Sequence, residues 1–582
     1  MLYTNFPTNF LPNERFFVEK SLELLHPKTI DTFRCRLYNP HTILEELHSV
    51  LVNFHKKKIK SFETVQKVKE EALNLLDTNN YLNFNSIESG FLKTQINNID
   101  KTKYLDPTYT IWLALKDNEF YLETLIKKTY QLIYKGNLIP TRSALDLQEL
   151  KTVITYLVTE LLHRGYSKRY LYKVLYVVFI KDLVTTTFRA KFANTIKAIN
   201  KKPEYFDIFY RIHIPLDLQD ILIKSPHVAD DFMLKEFYDK GSSITRKYLE
   251  LKDNPRVKYL HFKIDSLDFH SAAIIARKKL TEILDAIHLG FKHSSIELHK
   301  YSLVIGENQP LSAGTESVFY QIDGSYRKGQ IVYEEFLENL SKLETNERVS
   351  SESKQKIRSA IRHLRLGSEA IELEQKFTSY WLGLEYIFSN YDSESNTFNR
   401  ISEYFTISHL LVFLKRNLIE FHNDIKRLGY HTIIPSFSDD LKYLLRKENY
   451  QLLEAKCIND HPLIAFRANQ FLSSIFNNQI SDDLKKHEQD LIWNIARLYR
   501  IRNELIHEAA IDKNIPNITS HLKYYLTFII ESTLNFFVTN SIDIDIDNYT
   551  TIEDYFIMQK LKWDNIKSTN YSFTKLLEIY VP

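Results

Sequence analysis

Along the first 200 residues apolar positions recur at three- and four-residue spacing, the pattern of helices that bury one face. Between Asp117 and Tyr134 they fall at Phe120, Leu122, Leu125, Ile126, Leu132 and Ile133, and a second helix is predicted from about Leu145 to His163. Arg164-Gly165-Tyr166 stops that helix, and Ser167 is placed to cap the next one. Helix, tight turn and helix is mostly a packing unit, so this spacing alone does not indicate a DNA reader.

The texture changes after about residue 200. Val257-Lys-Tyr-Leu-His-Phe-Lys-Ile264 alternates like a half-buried strand, and Asp265 to Ile287 returns to a helical period. Leu298 to Ile305 and Ser317 to Ile322 are expected to be further strands, punctuated by Gly290, Gly306, Gly314, Gly324 and Gly329. Glu344 to Ser353 is polar and marks a boundary or helix start, and Lys354 to about Thr539 is helical in pattern. The expected fold class is mainly α and multi-domain. It comprises an N-terminal helical region (1–200), a small α+β middle domain (201–345), a helical domain (350–540) and a C-terminal tail (541–582).

Composition sharpens this picture. Only 12 of 582 residues are glycine, well under the usual ~7%, which argues against turn-rich barrels and sandwiches and leaves few phosphate-cradling loops. A formal charge of +3 is too small to indicate a nucleic-acid binder by bulk electrostatics, so any such contact must be local. Cys35 and Cys457 are too few for a disulfide framework or a cysteine zinc cluster and fit a reducing compartment. The first residues lack a signal-peptide pattern. The apolar stretch Leu171 to Val184 is broken by Lys173, Lys181 and Asp182 and is too short to span a bilayer. The expectation is a cytoplasmic protein with no membrane partner.

Several loop-borne and metal chemistries are not encoded. No Walker-type loop or nucleophile elbow occurs, and His487-Glu488 and His507-Glu508 both lack the second histidine of a zinc-protease helix. Asp543-Ile-Asp545-Ile-Asp547-Asn548 starts like a calcium loop but has Asn548 in place of its glycine and Asp554 in place of its bidentate glutamate. His288, His293 and His299 lack regular ligand spacing, and the basic run His55 to Lys60 fits a solvated helix face. No metal and no cofactor are expected.

One segment combines a helical apolar face with chemistry. Leu491 to Glu508 keeps Leu491, Ile492, Ile495, Leu498, Ile501, Leu505 and Ile506 in helical phase and sets Arg497, Arg500, Arg502, Asn503 and His507 against them. At about 100° per residue Asn503 and His507 share a side one turn apart, whereas Arg502 lies about 140° from His507. Its long side chain must bend to join them.

Arg502-Asn503 followed by His507 resembles the Arg-x4–6-His signature of the HEPN superfamily. Phe377-Thr-Ser-Tyr-Trp381-Leu-Gly-Leu-Glu385-Tyr-Ile-Phe388, about 115 residues upstream, resembles the Trp-x-x-Leu-Glu helix of its Apea-like branch. The resemblance covers about 350 to 540 and implies a HEPN helical bundle that cuts RNA without metal. The ribose 2′-hydroxyl would attack, leaving a 2′,3′-cyclic phosphate and a 5′-hydroxyl. In that reading His507 exchanges a proton, Arg502 holds the non-bridging oxygens as charge grows, and Asn503 orients His507 or binds phosphate. Glu385 is a weaker, supporting candidate, equally suited to pairing with an arginine. A single signature supplies one histidine per chain, so the resemblance implies a composite site across a homodimer. The resemblance further implies a conditional toxin in antiphage defence, acting on RNA and released by a phage-derived or host trigger. The alternative is a non-catalytic HEPN scaffold or sensor that dimerises and binds a protein or nucleic-acid partner.

Overall fold

The first helix of the chain, α1 (Pro12–Leu25), begins where Pro12 fixes a helical φ and gives up an N–H that would be unpaired there anyway. Glu14 folds back to accept from the Leu11 amide at 2.9 Å. The computed structural model of the protein describes residues 9–27, 38–77, 81–138, 143–182, 187–215, 226–249, 256–290, 296–307, 309–319, 322–324, 330–390, 395–508, 515–539 and 549–581. Eight helices follow α1 in the N-terminal region: α2 (Pro40–His55), α3 (Phe62–Leu76), α4 (Ser89–Asn97), α5 (Leu105–Asp117), α6 (Tyr121–Leu138), α7 (Gln148–His163), α8 (Lys168–Leu175) and α9 (Phe188–Ile199). The stop after α7 is as expected. Gly165 takes φ +104°, and the Ser167 hydroxyl accepts from the Tyr170 amide to open α8.

A four-stranded antiparallel sheet follows, in the order β2-β1-β3-β4. Its strands are β1 (Glu204–His213), β2 (Val257–Ser266), β3 (Glu297–Gly306) and β4 (Gln309–Ser317), with α10 (Asp231–Lys240) and α11 (Ser243–Tyr248) before β2 and α12 (Phe269–Gly290) after it. Both faces are covered. Phe206, Ile208, Tyr210 and Ile212 pack against Ala272, Ala276 and Leu280 of α12. Phe209, Leu303 and Ile305 on the opposite face meet Leu234 of α10 and Tyr248 of α11. The last strand lies earlier than the expected Ser317 to Ile322. Gln-Pro-Leu-Ser-Ala-Gly-Thr-Glu-Ser lacks the branched and aromatic alternation of the other strands, and it pairs antiparallel along β3.

The rest is helical: α13 (Gln330–Thr345), α14 (Ser351–Glu369), α15 (Leu373–Phe388), α16 (Thr397–Arg400), α17 (Thr406–Arg427), α18 (Lys447–Cys457), α19 (Pro462–Phe476), α20 (Ile480–Glu508), α21 (Ile515–Thr539), α22 (Ile552–Ser568) and α23 (Phe573–Glu578). The protein is therefore mainly helical with a small antiparallel sheet. Residues 549–581 are included in the packing, because Tyr555, Phe556, Trp563 and Leu576 are buried.

Two large apolar cores organise these helices. One joins Phe16, Leu47, Val65 and Leu161 of the N-terminal helices to Leu410, Phe421, Leu453 and Ile464 of α17, α18 and α19. The second joins Ile357 of α14, Phe377 and Trp381 of α15, Leu498 of α20 and Leu526 of α21. Polar pins hold the first core closed. His461 meets Glu19 of α1 at 2.8 Å, and Arg467 of α19 pairs with both Glu23 of α1 and Asp424 of α17. Between the N-terminal region and the sheet, the buried Asp268 carboxylate accepts from the Ser167 amide and hydroxyl and from the His270 and Ser271 amides. A single carboxylate thus satisfies the first amides of two helices from different regions.

Candidate functional site

Helix α20 separates its arginines by burial. Leu491, Ile495, Leu498 and Ile501 recur at four- and three-residue steps and enter the second core. Arg497 and Arg500 point the other way, into the N-terminal helices. Arg497 donates to Glu46 of α2 and, at 2.6 Å, to Glu71 of α3, while its guanidinium lies 3.9 Å from the Tyr38 ring centroid. Arg500 donates to the same Glu46 and sits 3.5 Å from Glu504. Burial alone raises a carboxyl, yet the two guanidiniums beside Glu46 outweigh it and hold that group at about 2. These two arginines are committed to holding the fold.

Arg502 is placed differently. Its side chain is 25% exposed, its Nη1 donates to Asn503 Oδ1 at 3.1 Å, and its Nη2 stands 3.7 Å from Glu385 of α15. Two helical steps produce this meeting. Trp381 and Glu385 are one turn apart on α15, and Tyr499 and Arg502 are one turn apart on α20. The buried Trp381 packs against Tyr499 with ring centroids 5.9 Å apart, which brings the next turn of each helix, Glu385 and Arg502, face to face at the rim. Phe398 stacks on the other side of Tyr499 at 4.5 Å and fixes that ring.

Of the residues expected from sequence, Arg502, Asn503 and Glu385 are therefore brought together. His507 lies within α20, one turn beyond Asn503, and its side chain is outside the described residues. Tyr386 and Ile506 are exposed apolar side chains on α15 and α20 near this rim. Tyr386 also stacks on His363 of α14 at 5.4 Å.

A cleft of 740 Å³ opens beside Leu505, walled by the α14–α15 turn. Glu369, Glu372 and Glu374 line it, with Lys278 opposite and Arg365 pairing with Glu369 at 2.6 Å. Burial raises the Glu372 carboxyl, with Glu374 and Asp285 adding to the effect against a Thr281 hydrogen bond. Nearby, Lys376 is buried and closes the end of α14 by donating to the Gly367 and Ser368 carbonyls, both at 3.0 Å; burial lowers its ammonium to about 8.

Helical spacing alone separates neither Arg497 and Arg500 from Arg502, which only the signature singles out, nor Tyr499 from the rest of the apolar stripe. The distinction depends on what lies across from each side chain, and Glu46 and Glu71 are more than 400 residues away. Among the described residues no group of three or more His, Cys, Asp or Glu is arranged to hold a metal ion, and no helix is long and apolar enough to cross a membrane. Asp543 to Asn548 and Cys35 lie outside the described residues. Comparison with protein-family models, with curated proteins and with solved structures finds no match to this chain.

Proposed function

We propose that the protein is an endoribonuclease of the HEPN type that cuts RNA by attack of the ribose 2′-hydroxyl and needs no metal. The observation that carries the reading is the meeting of Arg502, Asn503 and Glu385 at the exposed end of α20, while Arg497 and Arg500 of the same helix are buried in ion pairs. The Arg502 guanidinium, a quarter exposed at the rim, can exchange Glu385 for a phosphate, and its planar fork suits two non-bridging oxygens. Glu385 orients that fork in the absence of RNA. His507, one turn from Asn503, supplies the proton transfer, and a second copy of the chain supplies the other histidine. On this reading the N-terminal helices and the sheet hold the domain as a conditional toxin of cytoplasmic antiphage defence until a phage-derived or host trigger acts.

A specific observation favours a second reading, a non-catalytic HEPN module that dimerises and binds a protein. Glu385 faces Arg502, and Glu372 and Glu374 line the cleft beside Leu505, a combination that repels a polyanion. The nature of the products separates the two. The enzyme generates fragments ending in 2′,3′-cyclic phosphate and 5′-hydroxyl from total RNA, from a particle with the mass of a dimer. A monomeric mass with and without RNA contradicts the composite site, and intact RNA after prolonged incubation supports the binding module.

A further inference from the structure

A larger opening than the cleft beside Leu505 has no Arg502 in its lining. A cleft of 1340 Å³ lies where the α7–α8 turn, α12, the β3–β4 edge and the first turns of α15 and α21 converge. Its walls are basic. Seven lysines and arginines line it against four carboxylates. Two of those carboxylates are paired within the lining, Glu316 with Arg169 at 2.9 Å and Asp323 with Lys168 at 2.5 Å, and the other two are Glu372 and Glu374 at the start of α15. Arg277, Lys278, Lys300 and Lys523 add positive charge from three separate elements. The cleft thus concentrates positive charge in a chain whose formal net charge is only +3.

Shape and aromatic lining narrow the ligand. Sites for small molecules usually measure about 300–1,000 Å³ and favour junctions between structural units, so this cleft has room for a ligand larger than a single phosphate. Tyr166, Tyr172 and Tyr301 are part of its lining, and Tyr301 is 41% exposed with the Lys300 ammonium 5.5 Å from its ring. A flat ring that stacks and several phosphates that pair with ammonium groups match such a surface.

We propose that this junction cleft binds a nucleoside polyphosphate, its phosphates held by Lys278 and Lys300 and approached by Lys168 and Arg169, which share them with Asp323 and Glu316, and its base stacked on tyrosine. No glycine-rich loop is required, because side chains from three elements supply the contacts. A bound nucleotide would bridge α8 of the N-terminal region, α12 and the sheet. The inference stands independently of RNA cleavage.

Calorimetric titration and thermal melting of the full chain with ATP, inorganic tripolyphosphate and a 5′-phosphorylated oligoribonucleotide test it. ATP is expected to bind saturably, to raise the melting temperature and to bind more tightly than tripolyphosphate. The double variant Lys278→Glu/Lys300→Glu is expected to weaken ATP about tenfold or more. Its ligand-free melting temperature should not change, because both side chains are exposed; charge reversal at the distant Lys240 should leave ATP binding intact. Absence of saturable ATP binding, or equal affinity in the double variant, overturns the site. Tripolyphosphate binding as tightly as ATP overturns the nucleoside assignment, as does binding of the oligonucleotide alone.

Discussion

Arg497 of α20 donates its Nε to both carboxylate oxygens of Glu46 on α2, at 2.9 and 3.0 Å, joining residues 451 apart in the chain. Arg500 and Glu71 complete a cluster in which Arg497, Arg500 and Glu71 are almost fully buried. Such a cluster is costly to desolvate and costlier to break, because removing one partner strands the others in a dry interface. The same helix then carries Arg502 to the surface. The candidate site is therefore positioned by the N-terminal helices even though none of them contributes a residue to it.

Replacing Glu46 by Gln keeps the shape and removes the charge that both arginines share. Unfolding free energy is expected to fall by about 3–5 kcal/mol, read as a lower urea midpoint with an unchanged slope. A change below about 0.5 kcal/mol would place the pair among surface salt bridges and contradict its structural role.

The same cluster sets an acid limit. Glu46 is held at about 2 from its ordinary 4.5, and Glu160 is held at about 2 as well. Burial opposes the shift of Glu160, and His41, Asn39 and Arg164 outweigh it. Both carboxyls are depressed in the folded protein, so their contribution is complete above pH 4.5 and is lost as pH falls from there toward 2. Each contributes about 3 kcal/mol in that window. The urea midpoint should drop steeply between those pH values in the wild type, and less steeply in Glu46→Gln, which has already lost one of the two groups.

Gly367 and Gly90 should respond with opposite signs to the same substitution. Both lie in helices, where alanine is intrinsically better by about 1 kcal/mol. A Cβ at Gly90 meets nothing within 4 Å, whereas at Gly367 it would stand 2.4 Å from the ring of the buried Tyr380. Gly90→Ala is expected to raise the melting temperature. Gly367→Ala is expected to lower it, since overpacking at a fixed ring costs about 1–3 kcal/mol.

How much of this was legible in the sequence depends on how local each feature is. The stop at Gly165, the Ser167 cap, β2 and the helix bearing Trp381 and Glu385 follow from short-range pattern, and the structure has them where the pattern does. Phe206, Ile208, Tyr210 and Ile212 of β1 also alternate, so that strand was readable and is absent from the expected set. β4 was not readable, because its side chains lack the branched and aromatic alternation of the other strands. At the candidate site, helical spacing placed Asn503 and His507 on one side. It could not show that Arg502 bends toward Glu385, or that Glu46 and Glu71 occupy Arg497 and Arg500. The basic cleft is built from residues scattered between Leu25 and Lys523, so no stretch of sequence announces it.

Cleavage of total RNA in excess EDTA, compared between wild type, His507→Ala and Arg502→Ala, tests the central claim most directly. The account predicts that wild-type cleavage survives chelation, that Arg502→Ala loses about 10²–10³ in rate, as removal of a transition-state charge stabiliser does, and that His507→Ala loses at least as much. Wild-type and His507→Ala proteins cutting at the same rate, or wild-type protein leaving RNA intact, would contradict it.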